Sequence, residues 1–176
     1  SESGYLGFLR DSPSAAQRLC HVLSNSRFLG DALNKSVESV TWLGNDDSLQ
    51  PRSRESLDIQ TKATLERNAG NINDFANSIR AMRRHEIERI GLAWMSGVID
   101  DEASLAGMTD VYDAAIEASL QWSIRHRIND MQLEQAPAAI AIIGMGRYGG
   151  KEVNFSSDAD VIIIYRPAKG ADDTQA

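Results

Sequence analysis

The sequence predicts an α+β chain: a mostly α-helical region over residues 1–136, then the first two strands of a sheet, truncated, over residues 137–176. Three observations carry that prediction. Apolar residues recur at helical spacing through most of the first region. After Pro137 come two continuous apolar runs of strand length, at 138–143 and 161–165. Between them lies a glycine cluster, Gly144-Met-Gly146-Arg-Tyr-Gly149-Gly150, and two carboxylates, Asp158 and Asp160, open the second run.

The elements follow in order. Asp11-Ser12-Pro13 is a helix-start signal, because a capping side chain precedes a proline whose missing N–H is not needed in the first turn. Ala15, Ala16, Leu19, Val22 and Leu23 then mark a helix to about Asn25. A short helix is expected over 27–34 with Phe28, Leu29 and Leu33 inward, and a third over 37–43, closed by Gly44-Asn45. Residues 45–54 hold Asp46, Asp47 and Pro51 and read as a loop. Residues 53–69 read as a polar helix that Gly70 ends by taking the left-handed cap geometry. The strongest periodicity begins at Asn71, with Ile72, Phe75, Ile79, Met82, Ile87, Ile90 and Trp94 on one face and Gly97 as the stop. Asp100 or Asp101 caps the next helix, whose stripe is Leu105, Met108, Tyr112, Ala115, Ile116, Leu120 and Ile124, fading near Asn129.

Bulk composition narrows the function. A formal net charge of −7, from 18 Lys+Arg against 25 Asp+Glu, argues against a nucleic-acid binder. The single cysteine, Cys20, forms no internal disulfide and points to a reducing, cytoplasmic setting. No apolar run approaches the ~20 residues that cross a bilayer, so no membrane partner is expected. Two strands alone make no stable sheet, and the chain starts Ser-Glu-Ser, so it reads as a piece of a longer protein.

Most polar and aromatic residues of the helical part have structural readings. His21, His85 and His126 have no second histidine or cysteine at ligand spacing, and His85-Glu86 fails the zincin pattern because the fifth position is Arg89. Trp42, Trp94 and Trp122 are expected near the core. Arg80, Arg83, Arg84 and Arg89 read as a solvated face paired with Glu86 and Glu88. A contact with nucleotide phosphate or a partner is the lesser reading.

The glycine cluster has two interpretations. Gly144, Gly146 and Gly149 satisfy G-x-G-x-x-G after a strand, which fits a dinucleotide-binding oxidoreductase. That fold needs a full helix next, and residues 151–155 allow about one turn; its acid closes the second strand, whereas Asp158 and Asp160 open theirs. Arg166, just past that strand, keeps the rival open as a 2′-phosphate contact. In the other interpretation the turn's backbone N–H groups, at Gly144, Gly146, Gly149 and Gly150, donate to phosphate oxygens. Arg147 and Lys151 add positive charge, and Ser157 adjoins the acids. Asp158 and Asp160, two apart on a strand, face one place and hold Mg²⁺ against a triphosphate. Such a site serves displacement at phosphorus. A helical interaction module with a degenerate site is the third class.

The pattern of a glycine motif, about ten residues, then Asp-x-Asp opening a strand resembles the nucleotidyltransferase superfamily that includes DNA polymerase beta. The longer string from Gly144 through Asn154 to Ser157, Asp158 and Asp160 resembles the glutamine synthetase adenylyltransferase family. So do Leu9-Arg10-Asp11-Ser12-Pro13, Ser26-Arg27-Phe28 and Met82-Arg83-Arg84-His85-Glu86. The resemblance implies a fragment of an enzyme that moves AMP from ATP to a tyrosine of glutamine synthetase. By likeness it is the start of the C-terminal, adenylylating half of an actinobacterial member; the de-adenylylating, phosphorolytic half is the alternative. It implies Asp158 and Asp160 as catalytic, metal-binding carboxylates, Mg²⁺ as cofactor, and glutamine synthetase and a PII-type signalling protein as partners. A third carboxylate is expected beyond the chain end. The isolated fragment is expected to be inactive.

Overall fold

A computed structural model describes residues 2–168 of the chain. Its elements are α1 (Glu2–Asp11), α2 (Pro13–Asn25), α3 (Arg27–Lys35), a 3₁₀ segment (Val37–Gly44), α4 (Asp46–Leu49), α5 (Arg54–Arg67), α6 (Ile72–Met95), α7 (Asp101–Asp130), β1 (Ala138–Gly144), α8 (Gly146–Gly149) and β2 (Val161–Pro167). A mostly helical α+β arrangement is thus what forms.

Local chemistry sets the helix starts. Pro13 occupies the first turn of α2. Side-chain oxygens of Ser26, Ser53, Asn71 and Asp100 accept backbone N–H groups at the starts of α3, α5, α6 and α7, supplying partners that a helix N-terminus lacks. At the end of α6, Gly97 takes φ +70°, the left-handed geometry.

Two buried clusters hold the helices together. Leu57 and Leu65 of α5, Phe75, Ile79 and Met82 of α6, and Met108, Val111, Ala114 and Trp122 of α7 form the first. Tyr148 and Val153, from the segment between β1 and β2, belong to the same cluster, so the glycine turn is anchored on the helices. Ala15, Val22, Leu29, Leu33, Leu43 and Leu49 form the second with Leu92 and Ala93 of α6. The long helix α6 therefore joins both. Each fully buried leucine contributes about 1.5–3 kcal/mol.

β1 and β2 pair antiparallel, from Ala138 opposite Pro167 to Gly144 opposite Val161. A hydrogen bond from the Met145 N–H to the Asp160 carbonyl, 2.8 Å, continues the pairing by one step. Ile140, Ile142, Val161 and Ile163 look across a cleft at α6 and α7. On the opposite face Ile143, Ile162 and Ile164 are exposed.

Several expectations need correction. Residues 2–11 are helical, which the sequence reading passed over. The segment at 45–54 contains α4, because the Asn45 side chain accepts the Asp47 N–H and starts a turn. The segment 37–44 is 3₁₀, not α. Helix α5 ends at Asn68, not through Gly70, since the Asn68 side chain itself donates to the Thr64 carbonyl. Phe28 and Ile72 are exposed, while Trp94 is 43% exposed and donates its indole N–H to Asp101. The helical turn expected at 151–155 instead falls inside the glycine cluster, as α8. The strand begins at Val161, so Asp158 and Asp160 precede its paired part. The polar tail, with Asp172 and Asp173, lies outside the described residues.

Candidate functional site

The turn after β1 is built around glycines whose backbone disfavours a side chain. Gly146 adopts φ +52°, which costs other residues about 1–2 kcal/mol. A Cβ on Gly149 would lie 2.8 Å from the carbonyl carbon of Gly144, so β1 and α8 are packed backbone to backbone there. The turn closes through Gly149 N–H to the Met145 carbonyl, 2.9 Å, and Glu152 N–H to the Arg147 carbonyl, 2.7 Å. Lys151 then takes φ +59°. Arg147, Gly150 and Lys151 are all exposed.

Asp160 is placed at this turn: its Oδ2 lies 3.8 Å from where a Cβ on Gly146 would stand. Asp158 lines the cleft between the sheet and α6/α7. Both are exposed. Among the described residues neither carboxylate takes an ion pair. Strand alternation does not govern Asp158, which sits in the unpaired lead-in to β2. Ser157 is half-buried and its hydroxyl is engaged locally. It donates to Asn154 Oδ1, 3.0 Å, and accepts the Asn154 N–H, 3.0 Å. Ser156 N–H also donates to Asn154 Oδ1, so residues 154–157 form a side-chain-held turn that delivers the chain to Asp158.

A polar chain fastens the turn to the helices. The Tyr148 hydroxyl donates to Asp113 Oδ1 at 2.5 Å, and Arg54 donates to Asp113 Oδ2 at 3.2 Å and to Asp58 at 2.8 Å. Burial, then the hydrogen bond to Asp113, raises the Tyr148 phenol well above its ordinary value. Burial opposes the Arg54 charge, but Asp58, Asp113 and Asp110 together outweigh it and raise its pKa. Burial raises the Asp110 carboxyl, against the pull of Arg54 and Lys151. A second tether runs from the Tyr112 hydroxyl to the Ser157 carbonyl, 3.3 Å.

The cleft has a volume of about 930 Å³. Its walls are the isoleucines and Val161 of the sheet and the apolar faces of α6 and α7, with Arg80, Arg83 and Asp158 as its charged residues. Among the described residues no group of three or more His, Cys, Asp or Glu is arranged to hold a metal, and no helix is long and apolar enough to cross a membrane.

The model of the glutamate-ammonia ligase adenylyltransferase family matches residues 16–176. The chain belongs to that family. It is 73% identical over 176 residues to a bifunctional glutamine synthetase adenylyltransferase/adenylyl-removing enzyme of Bifidobacterium longum, covering all of this chain and 16% of that protein. It is 37% identical over 179 residues to the enzyme of the same name from Mycobacterium leprae, covering all of this chain and 18% of that protein. The chain thus spans about one sixth of the length of these adenylyltransferase relatives.

Within this member of the family, the structure gathers Gly144, Gly146, Gly149 and Asp160 at one turn. It sends Asp158 toward the cleft. The antiparallel pairing of β1 with β2 and the four-residue α8 depart from the parallel strand–helix–strand unit of a dinucleotide fold. The sequence reading missed Tyr148, Asp113 and Arg54. An aromatic inside a glycine cluster was a usable signal for Tyr148. Asp113 and Arg54 look like any charges on a helix surface, so nothing marked them.

Proposed function

We propose that this chain is the part of a glutamine synthetase adenylyltransferase in which the nucleotidyltransferase sheet begins. Its glycine turn and its two aspartates take the polyphosphate of ATP for transfer of AMP to a tyrosine of glutamine synthetase. The observation that carries this reading is the placement of the Asp160 carboxylate against Gly146. A glycine there lets a ligand approach the backbone closely beside that acid.

The donor set fits Mg²⁺. Asp158 and Asp160 are hard oxygen donors, unpaired by cations among the described residues and open to solvent, and Mg²⁺ is commonly held by one or two carboxylates plus substrate phosphates and water. When bound, Mg²⁺ supplies charge neutralisation at the phosphates. The chain's own residues do the rest. First-turn N–H groups of Gly146, Arg147 and Tyr148 have no intrahelical partner and are free to bind phosphate oxygens. Arg147 and Lys151 add exposed positive charge beside the turn. The turn at 154–157, locked by Asn154, holds Asp158 at its post. The attacking tyrosine oxygen is that of glutamine synthetase, and the base and a third carboxylate belong to other parts of the full-length enzyme.

The Ser157-Asp158-Ala159-Asp160 form favours the adenylylating half over the phosphorolytic half, by family likeness alone. A PII-type protein as regulator and a cytoplasmic location belong to the same reading. The test is transfer of labelled AMP to glutamine synthetase. The full-length protein should transfer it, Asp158→Asn and Asp160→Asn should abolish transfer with the fold intact, and the 176-residue chain alone should transfer none. Normal turnover in either mutant would remove that carboxylate from the mechanism.

A further inference from the structure

We propose that Arg83, with Arg80 one turn before it on α6, binds the phosphate oxygens of the nucleotide that Asp158 and Asp160 engage; this rests on the function proposed above. Expectation from sequence placed both arginines on a solvated face, paired with Glu86 and Glu88. The structure breaks that pairing. Glu86 is buried and pairs with Arg52 at 3.1 Å and Arg89 at 3.2 Å, and Glu88 is buried as well. Among the described residues Arg80 and Arg83 take no ion pair at all. Both instead line the cleft that also holds Asp158.

Arg83 is held there by a specific support. Its guanidinium lies 5.4 Å from the centre of the Tyr112 ring, a cation–π arrangement that orients the group without neutralising it. The Tyr112 hydroxyl in turn donates to the Ser157 carbonyl, the peptide that leads into Asp158. One aromatic ring therefore fixes both the cation on α6 and the backbone that presents the acid. Arg83 and Asp158 share the cleft yet form no salt bridge, which leaves each with its charge for a third body. A metal-bound polyphosphate is the ligand class with both needs: cations at the carboxylates and donors for its remaining anionic oxygens. The guanidinium's fork of N–H groups suits phosphate.

The experiment titrates the full-length protein calorimetrically with ATP, inorganic tripolyphosphate and adenosine, each with Mg²⁺, for wild type, Arg83→Met, Arg83→Lys, Tyr112→Phe and Asp160→Asn. Arg83→Met should weaken ATP and tripolyphosphate by a similar factor, about ten- to a hundredfold, and leave adenosine unchanged. Arg83→Lys should recover part of the loss. Tyr112→Phe, which keeps the ring but frees the Ser157 carbonyl, should show a smaller loss. Circular dichroism melts matching wild type exclude misfolding, since Arg83 is exposed. Undiminished ATP and tripolyphosphate affinity in Arg83→Met, beside a loss in Asp160→Asn, would overturn the arginine role and spare the metal site. A loss in Arg83→Met with none in Asp160→Asn would keep the arginine as a phosphate ligand and overturn the metal reading. Loss of adenosine affinity as large as that of tripolyphosphate would overturn a phosphate contact.

Discussion

Removing one hydroxyl, in Tyr148→Phe, tests how the glycine turn is anchored. The ring stays in the buried cluster with Leu57 and Val111, so no cavity forms. What goes is the 2.5 Å hydrogen bond to Asp113. A hydrogen bond to a charged group is worth ~1.5–3 kcal/mol. The Asp113 side chain is 33% exposed and keeps Arg54 at 3.2 Å, so solvent and the second partner take up part of the loss. We therefore expect the low end, about 1.5 kcal/mol, or a melting temperature lower by ~3–6 °C. The pH dependence gives a sharper readout. The folded phenol is raised above its ordinary value of 10.0, so its contribution is complete below pH 10 and fades as pH rises further, because only the unfolded chain ionises there. Urea unfolding of wild type and Tyr148→Phe at pH 8 and at pH 10.5 to 11 should show a gap that narrows at the alkaline end. An unchanged midpoint at pH 8, or a gap that widens with pH, would refute the anchoring role.

Three further outcomes follow from the same geometry. Gly149→Ala drives a Cβ into the Gly144 backbone and should cost about 1–3 kcal/mol in urea unfolding, as overpacking does. Gly146→Ala should cost ~1–2 kcal/mol for its positive φ and weaken ATP binding by the full-length protein more than its stability loss explains. Glu88 has an oxygen without a hydrogen-bond partner and a carboxyl raised by burial. Its folded pKa above the unfolded value means stability is lost as pH rises through that window. Glu88→Gln should accordingly be more stable than wild type at pH 7, by about 1 kcal/mol, with the advantage gone at pH 4.

Much of this architecture was legible because its signals are local. The cap at Asp100 and the stripe Phe75-Ile79-Met82-Ile90 depend on neighbours in sequence, and they place α6 and α7. The exposure of Phe28 and Trp94 was not legible, because both pack against Phe155, at 6.0 Å and 6.1 Å, on a surface that only the folded chain assembles. For the candidate site, the glycines and the two acids stand out by spacing alone. Their support does not. Tyr148 reaches Asp113 across 35 positions of sequence, and Tyr112 reaches Ser157 across 45. Arg80 and Arg83 are exposed, as a solvated face requires, but their expected pairing with Glu86 and Glu88 does not form. Burial of both glutamates changes that balance.

The most direct test of the site is a calorimetric titration of the full-length protein with ATP, with and without Mg²⁺, repeated for Asp160→Asn. Binding that needs Mg²⁺ in the wild type and is lost in the mutant is the expected result. ATP binding indifferent to Mg²⁺, or equally tight once Asp160 has lost its charge, would contradict a cation held between that acid and the glycine turn.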